Sequence, residues 1–386
     1  MNLPFDARKL DALMENGGVD LLLACTKDNV AYLLGGYRFF FFEFKDAIGV
    51  SRYLPLLGYR RGAPEKAFYL GNSMEDWQQE WEPLWVPEVA NAHWHSEKAA
   101  KDAAGRIRRL GLGKGTIAVE KGFMPADAYT ALQEELPDAR LVDAHPILEE
   151  LRAVKRPGEL ALLKKASDAI IECMVEVMTT TPAGTTTLDI AERVRREEVQ
   201  RGLNFEYCLT SVGPGWNRAP TRKARWEKGR ALSLDSGGNL HGYLGDLARM
   251  AVLGKPTPLM RDVLAEVEAI QMAARSAVRP GATGAAIFEK ALAEQAKCPH
   301  KDELIFVAHG MGIIQHEAPR LTSTGVVPYP GPYENRPLEA GMALSIETDL
   351  KNPEVGFVKI EDTVVVTPSG WEALGDGARG WTVGEE

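Results

Sequence analysis

The segment Ala231–Gly254, ALSLDSGGNLHGYLGDLARMAVLG, constrains the fold most, because it sets two acidic side chains inside otherwise apolar strands. Strands near 231–236 and 239–253, joined by a Gly-rich turn, would close into a hairpin with Asp235 and Asp246 on either side of the turn. Alternation puts Asp235 on the face opposite Leu232 and Leu234. A carboxylate in such a strand is costly to bury unless a cation or hydrogen-bond donors compensate it. The conflict recurs twice. In GMALSIETDL, Glu347 lies opposite Leu344 and Ile346, and in GFVKIEDTVVVT, Glu361 sits inside a β-branched run. Four carboxylates thus stand where local propensity would not place them, and such violations tend to mark functional sites.

The stretch VAHGMGIIQHEAPR adds His309 and His316, two of only seven histidines in the chain. Taken alone, a histidine is more often a satisfied surface or core residue than a ligand, and one buried carboxylate could be a structural ion pair. Four carboxylates with an imidazole form a donor set suited to Mn²⁺, Fe²⁺, Co²⁺ or Zn²⁺, and large enough for two divalent metal ions. Spacing does not establish that the strands meet.

The 386 residues are 45% hydrophobic and 26% charged, enough for two globular domains. A net charge of −9 opposes binding to a phosphate backbone, so no nucleic acid partner is expected. The four cysteines show no CxxC spacing, which fits a reducing compartment. The start carries acidic residues and no long apolar core, and no run reaches the roughly eighteen apolar residues of a membrane span. The expectation is a cytoplasmic protein with no membrane partner.

Residues 1–150 alternate short apolar runs with helical stretches, the rhythm of an α/β domain. KRPG, at Lys155–Gly158, breaks a helical period near a boundary at about 150, with Pro157 suited to the first turn of the next helix. Residues 151–386 read as an α+β domain, with helices near 158–179, 187–201, 259–279 and 283–295 and strands in separate blocks. Gly325–Pro337 reads as a long ordered loop. The run Phe39–Phe42 reads as a buried β segment or dimer contact; Tyr37, Arg38 and these rings could alternatively wall off a small pocket suited to an organic cation.

The order of motifs resembles the pita-bread metallopeptidase family, which includes methionine aminopeptidase, aminopeptidase P, prolidase and the non-peptidase creatinase. The match runs through LSLDSGG, GYLGDLAR, AHGMG, GMALSIE and VKIEDTVVVT. It implies metal ligands at Asp235, Asp246, His309, Glu347 and Glu361, with His316 of QHEAP contacting substrate. Asp246 and Glu361 would bridge two ions, with Asp235 on one side and His309 and Glu347 on the other. The first 150 residues resemble the amino-terminal domain of prolidase, aminopeptidase P and creatinase, a layout that implies a homodimer. In relatives of this layout the loop matching the Phe run often reaches a neighbouring subunit's site.

Two positions depart from the peptidase pattern. Peptidases of the family resemble one another in a histidine about seventeen residues before the first aspartate ligand, where this chain has Arg218. Thr348 stands where a proline often follows the first glutamate. Arginine cannot shuttle a proton at neutral pH but binds carboxylates bidentately. The expected function is therefore a dinuclear metal-dependent hydrolase of a C–N bond, amide or Xaa-Pro-like, in a small-molecule or dipeptide-like substrate. The alternatives are a lyase on the same scaffold, like a dimethylsulfoniopropionate lyase, and a retired binding module, against which the intact ligand set argues.

Overall fold

The helix Ser96–Arg109 shows why the first unit folds: Ala99, Ala100, Ala103, Ala104 and Ile107 recur at helical spacing and are all buried, while Arg106, Arg108 and Arg109 favour its carboxyl end. In the computed structural model, which describes residues 3–324 and 330–385, the chain divides into units of residues 1–151 and 152–386. The Ala stripe packs on a six-stranded sheet of β1 (Leu21–Ala24), β4 (Leu56–Arg60), β5 (Phe68–Gly71), β6 (Glu88–Asn91), β7 (Thr116–Val119) and β8 (Arg140–Asp143). The order is β6-β5-β4-β1-β7-β8, mixed parallel and antiparallel. A separate two-stranded ribbon joins β2 (Ala47–Ile48) to β3 (Ser51–Arg52).

The expected strand at Phe39–Phe42 does not form. Gly35 and Gly36, with φ of 77° and 103°, turn the chain just before it, and Phe40–Phe42 make one 3-10 turn. With no alternation of polar and apolar residues to fix a face, the rings pack on each other instead: Phe42 stacks on Tyr53 at 4.3 Å while Phe40 remains 61% exposed. Arg38 is held by Asp28 at 2.8 Å and Glu43 at 3.7 Å.

The second unit is built on an eight-stranded sheet. Its strands are β9 (Asn204–Val212), β10 (Ala231–Leu240), β11 (Tyr243–Leu253), β12 (Leu304–Gly310), β13 (Ala343–Asn352), β14 (Gly356–Thr367), β15 (Gly370–Leu374) and β16 (Thr382–Gly384). The main path runs β12-β13-β14-β11-β10-β9, with β15 on β14 and β16 on β11. Helices Pro157–Thr180 and Thr187–Gln200 bury Leu232, Leu234, Leu247 and Ala251, and helix Pro258–Ser276 buries Leu344, Ile346, Val358 and Ile360. Each fully buried aliphatic side chain is worth about 1.5–3 kcal/mol, so this apolar face orients the sheet and leaves the opposite one for the carboxylates. Among the described residues no helix is long and apolar enough to cross a membrane.

The hairpin turn differs from the sequence expectation. It is the two-residue loop His241–Gly242, both with positive φ (51° and 87°), the geometry that matches strand twist in a tight hairpin. Gly237 and Gly238 lie inside β10, where the register against β9 shifts between them. Five residues of the expected ordered loop, 325–329, lie outside the described residues; Pro332–Glu334 form a 3-10 turn.

Candidate metal centre

Strand register alone gathers the carboxylates. Asp235 pairs with Ala248, Ala248 with Glu361, and Glu361 with Glu347, so one row crosses β10, β11, β14 and β13. Asp246 is two residues from Ala248 and therefore shares its face, and His309 pairs with Ser345, two residues from Glu347. Asp235, Asp246, His309 and Glu361 are all at most 5% exposed. Among the described residues, Asp246, His309 and Glu361 form a group whose ligand atoms lie within 4.8 Å of one another, a spacing one metal ion could bridge.

Each side chain has a distinct partner set. The Tyr207 hydroxyl donates to Asp246 Oδ1, and Gln315 Nε2 donates to Asp246 Oδ2 at 2.8 Å. The Tyr207 ring reaches there because Gly237, opposite Asp246 in the register, has no side chain; a Cβ on it would come within 2.3 Å of the ring. Ser345 Oγ donates to Glu361 Oε1 at 2.7 Å. His309 Nε2 faces Glu347 Oε1 at 3.7 Å and Glu361 Oε1 at 3.9 Å.

A lysine that sequence reasoning overlooked lies among these groups. Lys359 Nζ is 2.6 Å from Asp235 Oδ2, from Glu347 Oε2 and from Glu361 Oε2. Its signal was in VKIED, since period-two alternation puts Lys359 on the face of Glu361. Burial alone would push this ammonium toward neutrality, but Asp235, Glu361 and Glu347 hold its pKa well above the usual lysine range. Burial, joined by the charges of Glu361 and Asp235, raises the Asp246 carboxyl well above the usual range; Asp235 is also raised by burial, against the pull of Lys359.

Arg218 reaches the site as the count back from Asp235 anticipated, with its Nη2 paired to Asp235 Oδ2 and its guanidinium 4.8 Å above the Phe357 ring. His316 stacks on His309 with ring centroids 3.8 Å apart, and burial followed by the neighbouring His309 pushes its pKa down to about 4. Its Nδ1 has no hydrogen-bond partner among the described residues. The five expected ligands therefore converge but divide in environment: Asp246 faces neutral donors, whereas Asp235 and Glu347 face cations.

Comparison with known proteins agrees with this geometry. Residues 161–368, more than half of the chain, match the model of metallopeptidase family M24, and residues 7–154 match the creatinase/prolidase N-terminal domain. The chain is similar to a putative dipeptidase, YkvY, of Bacillus subtilis, at 25% identity over 95% of this chain and 96% of that protein. It is 28% identical to an Xaa-Pro dipeptidase of Lactobacillus helveticus over 75% of this chain and 80% of that protein. Among solved structures, a recombinant prolidase from Thermococcus sibiricus aligns over the whole of both chains with a TM-score of 0.81 at 20% identity. An Xaa-Pro dipeptidase from Bacillus anthracis covers 98% of each chain with a TM-score of 0.79 at 18% identity. With its carboxylate-lined sheet, its histidine strand and its leading α/β unit, the chain belongs to metallopeptidase family M24 and carries a creatinase/prolidase N-terminal domain.

Proposed function

We propose that this protein is a metal-dependent hydrolase that cleaves a C–N bond, amide or Xaa-Pro-like, in a small or dipeptide-like substrate. The observation that carries the reading is the convergence of Asp246, His309 and Glu361 from three strands into one buried cluster of carboxylates and imidazole. These residues would hold a divalent cation such as Mn²⁺, Fe²⁺, Co²⁺ or Zn²⁺. When bound, such an ion supplies Lewis acidity and lowers the pKa of water. Tyr207 and Gln315 fix the orientation of Asp246, and Ser345 fixes that of Glu361, so neither carboxylate must reorganise during turnover. A substrate contact for His316, beside His309, is supported by a pKa held at about 4 by burial and by an Nδ1 without a hydrogen-bond partner among the described residues. Relatives named as Xaa-Pro dipeptidases support peptide-like chemistry. We read the working protein as a cytoplasmic homodimer, which size-exclusion chromatography with light scattering checks for the assembly.

A mass-spectrometric screen of Xaa-Pro dipeptides, cyclic amidines and betaine or sulfonium compounds in H₂¹⁸O tests the reaction class. Hydrolysis puts one ¹⁸O into a product carboxylate or carbonyl. Turnover that forms an alkene with no label would replace the hydrolase reading with elimination.

A further inference from the structure

The residues that would hold a second ion do not fit one. Lys359 Nζ sits 2.6 Å from a carboxylate oxygen on each of β10, β13 and β14, donating a hydrogen bond to Asp235 Oδ2 and forming ion pairs with Glu347 Oε2 and Glu361 Oε2, so three carboxylates already share one buried cation. The bond to Asp235 has the length of a strong charge-assisted hydrogen bond, and the other two are close ion pairs. A second divalent ion would need the same oxygens at about 2.0–2.2 Å, in the space the ammonium fills. Arg218 adds a further cation on Asp235 Oδ2. Together Lys359 and Arg218 carry the charge of one divalent ion, fixed covalently to the chain.

The other half of the site is different. Among the described residues Asp246 has a phenol and an amide as hydrogen-bond partners and no ion pair with a cation, and His309 Nε2 is turned toward Glu347 and Glu361. Lys359 is 4% exposed and rises from β14 two residues before Glu361, so its ammonium is anchored by the same strand that carries a ligand.

We propose that the centre is mononuclear: one divalent cation bound by Asp246, His309 and Glu361, with Lys359 holding Asp235, Glu347 and the far oxygen of Glu361 where a second ion would lie. This rests on the metal-dependent reading above. Its consequence is that Asp235 anchors the lysine instead of ligating metal, and that Glu347 gives the lysine its Oε2 while its Oε1 faces His309 Nε2 at 3.7 Å.

Metal counting tests this without any substrate. Protein stripped by chelation is incubated with excess Mn²⁺, Co²⁺ or Zn²⁺, passed through a desalting column, and analysed by mass spectrometry for bound metal. The Mn²⁺ sample is also examined by electron paramagnetic resonance. One equivalent per chain is expected, with the six-line signal of an isolated ion. Asp235→Asn is expected to keep that equivalent and Asp246→Asn to lose it, while Lys359→Ala is expected to accept a second. Two equivalents in the wild type, with an exchange-coupled manganese signal, overturn the mononuclear centre but leave the metal-dependent hydrolase standing. No bound metal of any of the three kinds overturns both. Loss of metal in Asp235→Asn, or a folded Lys359→Ala that stays at one equivalent, overturns the role given to the lysine. If Lys359→Ala does not fold, the wild-type and Asp235→Asn counts decide the matter.

Discussion

At the residue scale the site depends on side chains that are absent as much as on those present. Gly237 leaves room for the Tyr207 ring, so Gly237→Ala should displace the phenol from Asp246 and destabilise the fold by about 1–3 kcal/mol, the usual cost of overpacking. Urea unfolding and metal content read the effect together; an unchanged midpoint with unchanged metal would show that the ring does not need this space. Arg218 carries the departure from the peptidase pattern. Ordinary Xaa-Pro dipeptides should be poor substrates, and Arg218→Ala should raise KM for a carboxylate-bearing substrate by roughly tenfold to a hundredfold, the effect of losing a charged hydrogen bond of about 1.5–3 kcal/mol. Efficient wild-type turnover of Xaa-Pro dipeptides, unaltered by Arg218→Ala, would remove the arginine from substrate choice. The four carboxylates were legible as acidic side chains in apolar strands, because the cost of burying them is a property of the strand, whereas His309 was picked out by the family resemblance. Lys359 was harder to see: a lysine in a strand is unremarkable until one knows which face is closed to solvent.

At the element scale, helices were read well and turns less so. Helix Thr187–Gln200 begins at Thr186, whose side chain accepts from the Asp189 backbone N–H, and apolar spacing carries Ile190, Ala191 and Val194 into the core. The hairpin was displaced because Gly-Gly reads as a turn, whereas Gly237 and Gly238 are required inside β10 by what lies over them: the Tyr207 ring and the Glu198 carboxylate, whose Oε2 would be 2.6 Å from a Cβ on Gly238. That helix therefore brings a buried carboxyl against the strand of Asp235. Glu198 Oε1 accepts from Ser236 Oγ at 2.7 Å, and burial, outweighing that bond, pushes its pKa up to about 8. A folded pKa above the unfolded one means that its contribution to stability is complete below about pH 4.5 and is lost as pH rises through about 8. Glu198→Gln keeps a hydrogen-bond acceptor but removes the titration. From about pH 5 to pH 8 the difference in unfolding free energy should move in the variant's favour, by about 1.4 kcal/mol for each step of one in pH. Parallel curves over that range would contradict the assignment.

At the scale of the molecule, the catalytic sheet is tied on its helical side by a second charged cluster that the site does not use. Asp362, fully buried, accepts from Arg249 at 2.6 Å, forms an ion pair with Arg275 at 2.5 Å and also binds Arg379, joining β14, β11, helix Pro258–Ser276 and the segment before β16. Asp362→Ala would leave Arg249 and Arg275 buried without their carboxylate, and a loss of about 3–5 kcal/mol in unfolding free energy is expected. A loss below about 1 kcal/mol would mean that the backbone carbonyls of Glu361, Gly375 and Gly377, which also accept from Arg249, suffice. Asp362 and Glu361 are adjacent in sequence and serve opposite faces, one structural and one at the site, a division that alternation implies but does not assign. The sequence by itself determined the long helices, the paired strands of the second unit and the acidic residues that an apolar strand cannot keep uncompensated, because those follow from local periodicity and the cost of burying charge, whereas the Phe run and the hairpin turn did not follow from it. Only the tertiary structure decided which cation compensates which carboxylate: β14 packs between β13 and β11, and that register, set by contacts far apart in the chain, delivers Lys359 to Asp235, Glu347 and Glu361 while leaving Asp246 to Tyr207 and Gln315.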